Sequence, residues 1–104
     1  SEIRQVFLNI ILNGAQAIEK EGLIKITTCR EDNYIKILFE DTGGGIESQN
    51  LKKIFDPFFT TKAAGTGLGL FISQNIIRQH KGQISVKSQP GKGTTFTLLL
   101  PVTG

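Results

Sequence analysis

A chain of 104 residues with 38% hydrophobic content holds one core and has no room for a second. Its formal charge of +3, from 12 Lys and Arg against 9 Asp and Glu, is mild and unclustered, so it lacks the basic stripe of a nucleic-acid groove and is satisfied by a small anionic ligand. The single Cys29 cannot form an internal disulfide, which fits a reducing compartment and a bland role as a small core filler. No apolar run approaches the ~20 residues of a membrane span and no signal-peptide pattern is present, so the chain is expected to be soluble and to stay out of the membrane.

Ser1 is placed to cap a helix, and Ile3, Val6, Phe7, Ile10, Ile11, Gly14, Ala17 and Ile18 recur at three- and four-residue steps. That spacing predicts a helix to about Lys20, stopped at Gly22. Residues 23–30 and 34–41 are β-rich runs around Glu31-Asp32-Asn33, which reads as a hairpin. A short helix is expected over residues 48–54, and the aperiodic stretch 57–65, with its Pro, Thr pair, Lys and Gly, reads as a loop. A third helix is expected from about Thr66, packing through Leu68, Phe71, Ile72, Ile76 and Ile77. Arg78, His80 and Lys81 near its end suit the helix dipole, and Gly82 suits a left-handed cap. Residues 83–88 and 95–100 alternate with period two around Pro90-Gly91-Lys92-Gly93, giving a second hairpin. Two hairpins with helices on one face make an α+β sandwich of two layers.

Asn9 and Asn13 stand four residues apart on the first helix, and Gln5 and Gln16 extend that polar stripe. A helix this apolar is expected to be largely buried, where an unmade amide hydrogen bond costs about 1 to 3 kcal/mol, so the stripe should face a polar core network or a ligand. An Asn carbonyl oxygen is a hard, neutral donor suited to Mg²⁺ bridging phosphates. On the second strand Ile35, Ile37, Phe39 and Asp41 share a face, which turns the Asp41 carboxylate toward the helices. There it can accept from the exocyclic amine of adenine, where guanine would present a carbonyl oxygen. Gly43 and Gly45 let backbone approach a base without Cβ contacts, although a lone Asp-x-Gly-x-Gly also serves as an ordinary strand-ending turn.

Gly65-Thr66-Gly67-Leu68-Gly69 opens a helix, so its first-turn amides and positive dipole end converge where a triphosphate could lie. The spacing is neither the dinucleotide G-x-G-x-x-G nor a P-loop. Lys62, just upstream, could neutralise phosphate charge or be a solvated loop lysine, and Phe55, Phe58 and Phe59 read as anchors of the loop ends, with a lesser chance of contacting a partner domain.

Taken in order, residues 9–13, 41–45, 55–62 and 65–69 resemble the N, G1, F and G2 boxes of the catalytic domain of sensor histidine kinases, over nearly the whole chain. The resemblance implies the Bergerat ATP-binding fold shared with gyrase-type topoisomerases and mismatch-repair ATPases: a two-layer α/β sandwich whose mixed sheet is covered on one face by about three helices. It implies Asn13 on Mg²⁺, Asp41 on adenine, and Gly65, Gly67 and Gly69 around the phosphates. Asn9 and Lys62 would be phosphate or metal neighbours, Lys62 sharing the catalytic role with Asn13, while Gly43, Gly45, Ile46, Phe55, Thr61, Thr66 and Leu68 would line the nucleotide. The phenylalanine block runs almost directly into the second glycine block, as in the short-lid subgroup.

Hydrolytic members of the superfamily carry a water-activating glutamate one turn before the metal-binding Asn; Asn9 stands there and cannot take a proton. The nucleophile implied is therefore a histidine on a separate dimeric helical hairpin, with a response regulator as the next partner, no nucleic acid, and a cytoplasmic setting that could belong to a membrane-bound sensor. A regulatory nucleotide-binding module and a Bergerat-type ATPase without histidine phosphorylation are the alternatives. Gly14 replaces the family's usual Ala, His80 falls at a structural helix end, and no acceptor helix is present. The family's strand ahead of the first helix is also missing, so residues 1–104 are expected to be one catalytic domain truncated at its N-terminus, with an exposed sheet edge.

Overall fold

The computed structural model describes residues 2–59 and 68–102. In order they form α1 (Glu2–Ala17), β1 (Ile24–Glu31), β2 (Tyr34–Asp41), α2 (Ser48–Leu51), α3 (Gly69–Gln79), β3 (Gln83–Gln89) and β4 (Gly93–Pro101). Glu31 pairs with Tyr34, so Asp32 and Asn33 alone make the first turn, with Asp32 at φ 53, a conformation its short polar side chain tolerates.

The strands lie in the order β1-β2-β4-β3. The α+β, two-layer expectation holds, but the sheet is antiparallel at every pairing among the described residues, where a mixed sheet was expected. Topology explains the difference. Both hairpins are antiparallel by construction, and the helical crossover carries the chain from β2 to β3, which run the same way but leave one strand position between them. β4 returns into that position, so the two parallel strands never touch.

One face of the sheet is covered. Ile37 and Phe39 of β2 and Phe96 and Leu98 of β4 are buried there against Val6 and Ile10 of α1 and Ile76 and Ile77 of α3. Phe7 meets Phe39 edge to face at 5.3 Å. Cys29 pairs with Lys36, on the opposite face from Ile37, and is exposed, so it is not a core filler. Ile35, at the end of β2 away from Asp41, is also exposed.

The first helix is shorter and more one-sided than its apolar content suggests. It buries Val6, Ile10 and Gly14, while Leu8 and Leu12 are 53% and 54% exposed and Gln5 and Gln16 face solvent. It stops at Ala17 because the Gly44 amide donates to the Ala17 carbonyl at 3.2 Å, taking the acceptor that another helical turn would use. The second helix is also shorter than expected, a single turn over Ser48–Leu51 followed by turns through Ile54.

The described part of α3 begins at Gly69; the expected start at Thr66 lies outside the described residues. At its other end the left-handed residue is Lys81, with φ 62, and not Gly82. The amides of Lys81 and Gly82 donate to the carbonyls of Arg78 and Ile77 at 3.0 and 2.9 Å, a Schellman end with lysine in the left-handed place. Gly82 is required for space: a Cβ there would overlap the Leu99 carbonyl oxygen.

At Gly14 a Cβ would stand 3.2 Å from the Ile24 Cδ1 and 3.4 Å from the Asp41 Cβ. The closest atom is the end of a flexible side chain, so Gly14→Ala is expected to keep most of the helix-propensity gain and stabilise the domain by about 0.5 kcal/mol. Thermal unfolding checks this, and a lower midpoint would mean that Ile24 cannot yield.

Candidate active site

Two glycine-containing segments meet α1, one at its middle and one toward its C-terminal end. At the first, the Asn9 side-chain amide donates to the Gly69 carbonyl at 3.2 Å and to the Ser73 hydroxyl at 3.1 Å, and the Ser73 hydroxyl itself donates to Gly69 at 2.8 Å. Asn9 therefore ties α1 to the first turn of α3, and its nitrogen is committed to that tie. The polar core network that buried amides demand is present here, and Gly69 brings its backbone close: a Cβ on it would lie 3.7 Å from the Asn9 Cγ. Ser73 is fully buried. Its position was readable as four residues from Gly69 and three from Ile76, which puts a hydroxyl on the packed stripe of α3 where it must find a partner.

Asn13 follows one turn after Asn9, half-buried, and next to it Gly14 faces Asp41 closely enough that an added Cβ would contact it. The Asp41 carboxylate is on the helix side of the sheet, as the strand alternation requires: its Oδ2 lies 3.5 Å from the point a Gly14 Cβ would occupy. Its Oδ1 accepts the Gly43 amide at 2.9 Å, which folds the loop back over the strand end. Thr42 extends the ladder, its amide donating to the Leu23 carbonyl at 3.1 Å and its hydroxyl accepting the Leu23 amide at 2.9 Å.

The glycines of this loop are fixed by contact and by conformation. A Cβ on Gly43 would come within 2.7 Å of the Ala17 carbonyl, and Gly45 has φ 80 with a Cβ position that overlaps the Gln89 carbonyl oxygen. From the other side, the Gly91 amide donates to the Gly44 carbonyl at 2.7 Å, and the Ile46 amide donates to the Ser88 hydroxyl at the same distance. Ser88 in turn bonds the Gly93 carbonyl at 2.9 Å and the Thr94 hydroxyl at 2.8 Å. Thr94 is buried and pairs with Asp41 across the strands, so its hydroxyl shares the carboxylate's face. Ser88 and Thr94 were not expected at the site. The signal was their period-two register with Val86 and with Phe96, which sets both hydroxyls inward at the end of a hairpin.

The phenylalanine block divides. Phe55 packs edge to face on Phe96, with ring centroids 6.4 Å apart, and Phe59 packs against the core. Phe58 is not an anchor: the turn in which the Phe59 amide reaches the Asp56 carbonyl puts it at φ 68, 72% exposed. Leu68 precedes α3, half-buried. Thr61, Lys62, Gly65, Thr66 and Gly67 lie outside the described residues. An open hollow lined by Ala15, Ile18, Lys20 and Ile24 holds none of the expected site residues.

Residues 1–104 match the family described as histidine kinase-, DNA gyrase B- and HSP90-like ATPases. The chain is 55% identical over 101 residues to the signal transduction histidine-protein kinase AtoS of Escherichia coli K12, covering 96% of the chain and 17% of that protein. It is 52% identical over 100 residues to the sensor histidine kinase ZraS of the same organism, covering 96% of the chain and 22% of that protein. Among solved structures, the catalytic domain of histidine kinase ThkA superposes with a TM-score of 0.87 at 37% identity, covering 98% of the chain and 67% of that structure. Full-length ShkA in complex with AMPPNP superposes at 0.85 with 27% identity, covering 96% of the chain and 21% of that structure. The chain belongs to this ATPase family and, within it, to the catalytic domains of sensor histidine kinases. It spans about a fifth of the length of these curated relatives.

Proposed function

We propose that this domain holds ATP with Mg²⁺ and presents the γ-phosphoryl group to a histidine on a separate helical hairpin. The observation that carries the reading is that one helix, α1, joins an amide cluster at the first turn of α3 to a carboxylate at the end of β2, each beside glycine backbone. A nucleotide lying along α1 would set its base at Asp41 and its phosphates toward Asn13 and the start of α3. Gly43, Gly45 and Ile46 would flank the base, Phe55 and Leu68 would wall the site, and Thr61, Lys62, Gly65, Thr66 and Gly67 would supply the rest of the phosphate cradle.

Asn13 offers Mg²⁺ a neutral oxygen of the kind the ion accepts beside phosphates and water. Among the described residues no group of three His, Cys, Asp or Glu could hold a metal by itself, so the ion would depend on phosphate oxygens as well. When bound, Mg²⁺ would supply charge neutralisation for the nucleotide's phosphates. The chain's residues orient the nucleotide and keep the γ-phosphorus open to in-line attack. A bond forms from the histidine nitrogen to phosphorus, the bond to the bridging oxygen breaks, and ADP leaves. Asn9 supports histidine over water as the nucleophile, since a neutral amide engaged with Gly69 and Ser73 cannot serve as a general base.

The partner domains are then the dimeric hairpin and a response regulator that takes the phosphoryl group, and the setting is the cytoplasm, where ATP is supplied. No helix among the described residues is long and apolar enough to cross a membrane. Mixing the chain with a dimeric acceptor hairpin from a matched kinase and labelled ATP is expected to label the hairpin histidine in a Mg²⁺-dependent way. ATP binding with no labelling would defeat the transfer reading, and steady hydrolysis by the chain alone would favour an ATPase.

A further inference from the structure

We propose that Ser88 is a positioning residue for adenine recognition, acting through the Ile46 amide on the loop that follows Asp41. The inference rests on the assignment of Asp41 to the base. Loop 42–46 leaves the sheet at β2 and carries three glycines, so little in its own side chains determines its path. Two bonds at 2.7 Å tie it to the tip of the β3–β4 hairpin: Gly91 amide to Gly44 carbonyl, and Ile46 amide to Ser88 hydroxyl. The second is made by a side chain and can be removed without touching backbone.

The Ser88 hydroxyl sits at a junction. It accepts from Ile46, reaches the Gly93 carbonyl at 2.9 Å, and lies 2.8 Å from the hydroxyl of Thr94, the residue paired with Asp41. One hydroxyl group has one proton and two lone pairs, so when that proton goes to Gly93, Thr94 donates to Ser88 and Ser88 accepts twice. This sets the orientation of the Thr94 hydroxyl, on the same face as the carboxylate. Loop and strand are thereby held in one register around Asp41, in addition to its own bond to Gly43. Among the described residues the hydroxyl bonds Ile46, Gly93 and Thr94, all at the base end of the site, so its influence should fall on the base.

The test compares Ser88→Ala, Ser88→Cys and Ser88→Thr with the unaltered chain, using ATP, GTP and inorganic tripolyphosphate as probes in calorimetry with Mg²⁺, and amide hydrogen exchange without nucleotide. Ser88→Ala and Ser88→Cys should weaken ATP by about tenfold, the cost of one lost partly buried hydrogen bond, leave tripolyphosphate unchanged, and speed exchange at Ile46. Ser88→Thr, which keeps the hydroxyl, should restore ATP affinity. Equal losses for ATP and tripolyphosphate would mark a merely structural role and overturn the proposal, as would unchanged ATP affinity despite faster Ile46 exchange. Asp41→Ala in parallel separates the two readings: if it leaves ATP affinity intact, the base assignment itself fails and the proposal with it. If Asp41→Ala weakens ATP and Ser88→Ala does not, only the role of Ser88 is lost.

Discussion

Asn13→Ala is expected to abolish phosphoryl transfer to a supplied acceptor hairpin, a loss of at least about a hundredfold, because a nucleotide without its metal partner loses both charge neutralisation and alignment. The substitution puts the best helix former into α1, so the fold should survive it. Calorimetry with and without Mg²⁺ separates the causes. The unaltered chain should gain affinity for ATP on adding Mg²⁺, and the variant should gain much less, while the two should bind ATP similarly in chelator. If the variant kept its Mg²⁺ response and its transfer rate, the metal would belong elsewhere.

The second large effect concerns the base. Asp41→Ala should cost about 10- to 100-fold in ATP affinity, the range for a hydrogen bond to a charged group, but it also frees the Gly43 amide from its 2.9 Å bond to the carboxylate. Asp41→Asn is the cleaner change. Its carbonyl oxygen can keep the Gly43 bond while its NH₂ replaces the Oδ2, turning an acceptor into a donor at the point facing α1. A donor suits the O6 of guanine and rejects the amine of adenine, so Asp41→Asn should shift preference from ATP toward GTP with the melting point unchanged. Titration with both nucleotides reads this directly, and an unaltered ATP-to-GTP ratio would remove Asp41 from the base pocket.

Strand β2 was legible to the residue, from Tyr34 to Asp41, because alternation and a two-residue turn determine a strand locally. The apolar side of α3 was legible for the same kind of reason, its buried Ile76 and Ile77 following the helical period. Helix ends were not. The end of α1 is decided by an amide 27 residues away in the chain, Gly44 on Ala17, and after α3 the left-handed residue is Lys81, while glycine is required at 82 by the approach of the Leu99 carbonyl. Periodicity along one segment carries no information about such contacts.

The site divides along the same line. Asp41 stands where strand alternation sends it, since its orientation follows from β2 alone, whereas the glycine loop after it takes its path from Ala17 and the β3–β4 hairpin. Asn9 differs: its residue type called for either a network or a ligand, and only the approach of α3 assigns its nitrogen to Gly69 and Ser73. Ser88 and Thr94 matter through a hairpin folding onto a loop more than 40 residues earlier, with Ser88 reaching Ile46 at a separation of 42. Hydroxyl groups in strands are common enough that nothing short of that contact singles them out.

Cys29 is the one sulfur atom in the sequence, since there is no methionine, and it sits in the open on the side of the sheet away from the helices. A maleimide fluorophore can therefore be attached at one defined point without mutagenesis and without crowding the proposed nucleotide site. Changes in its anisotropy would then report capture of a helical hairpin as a gain in particle size.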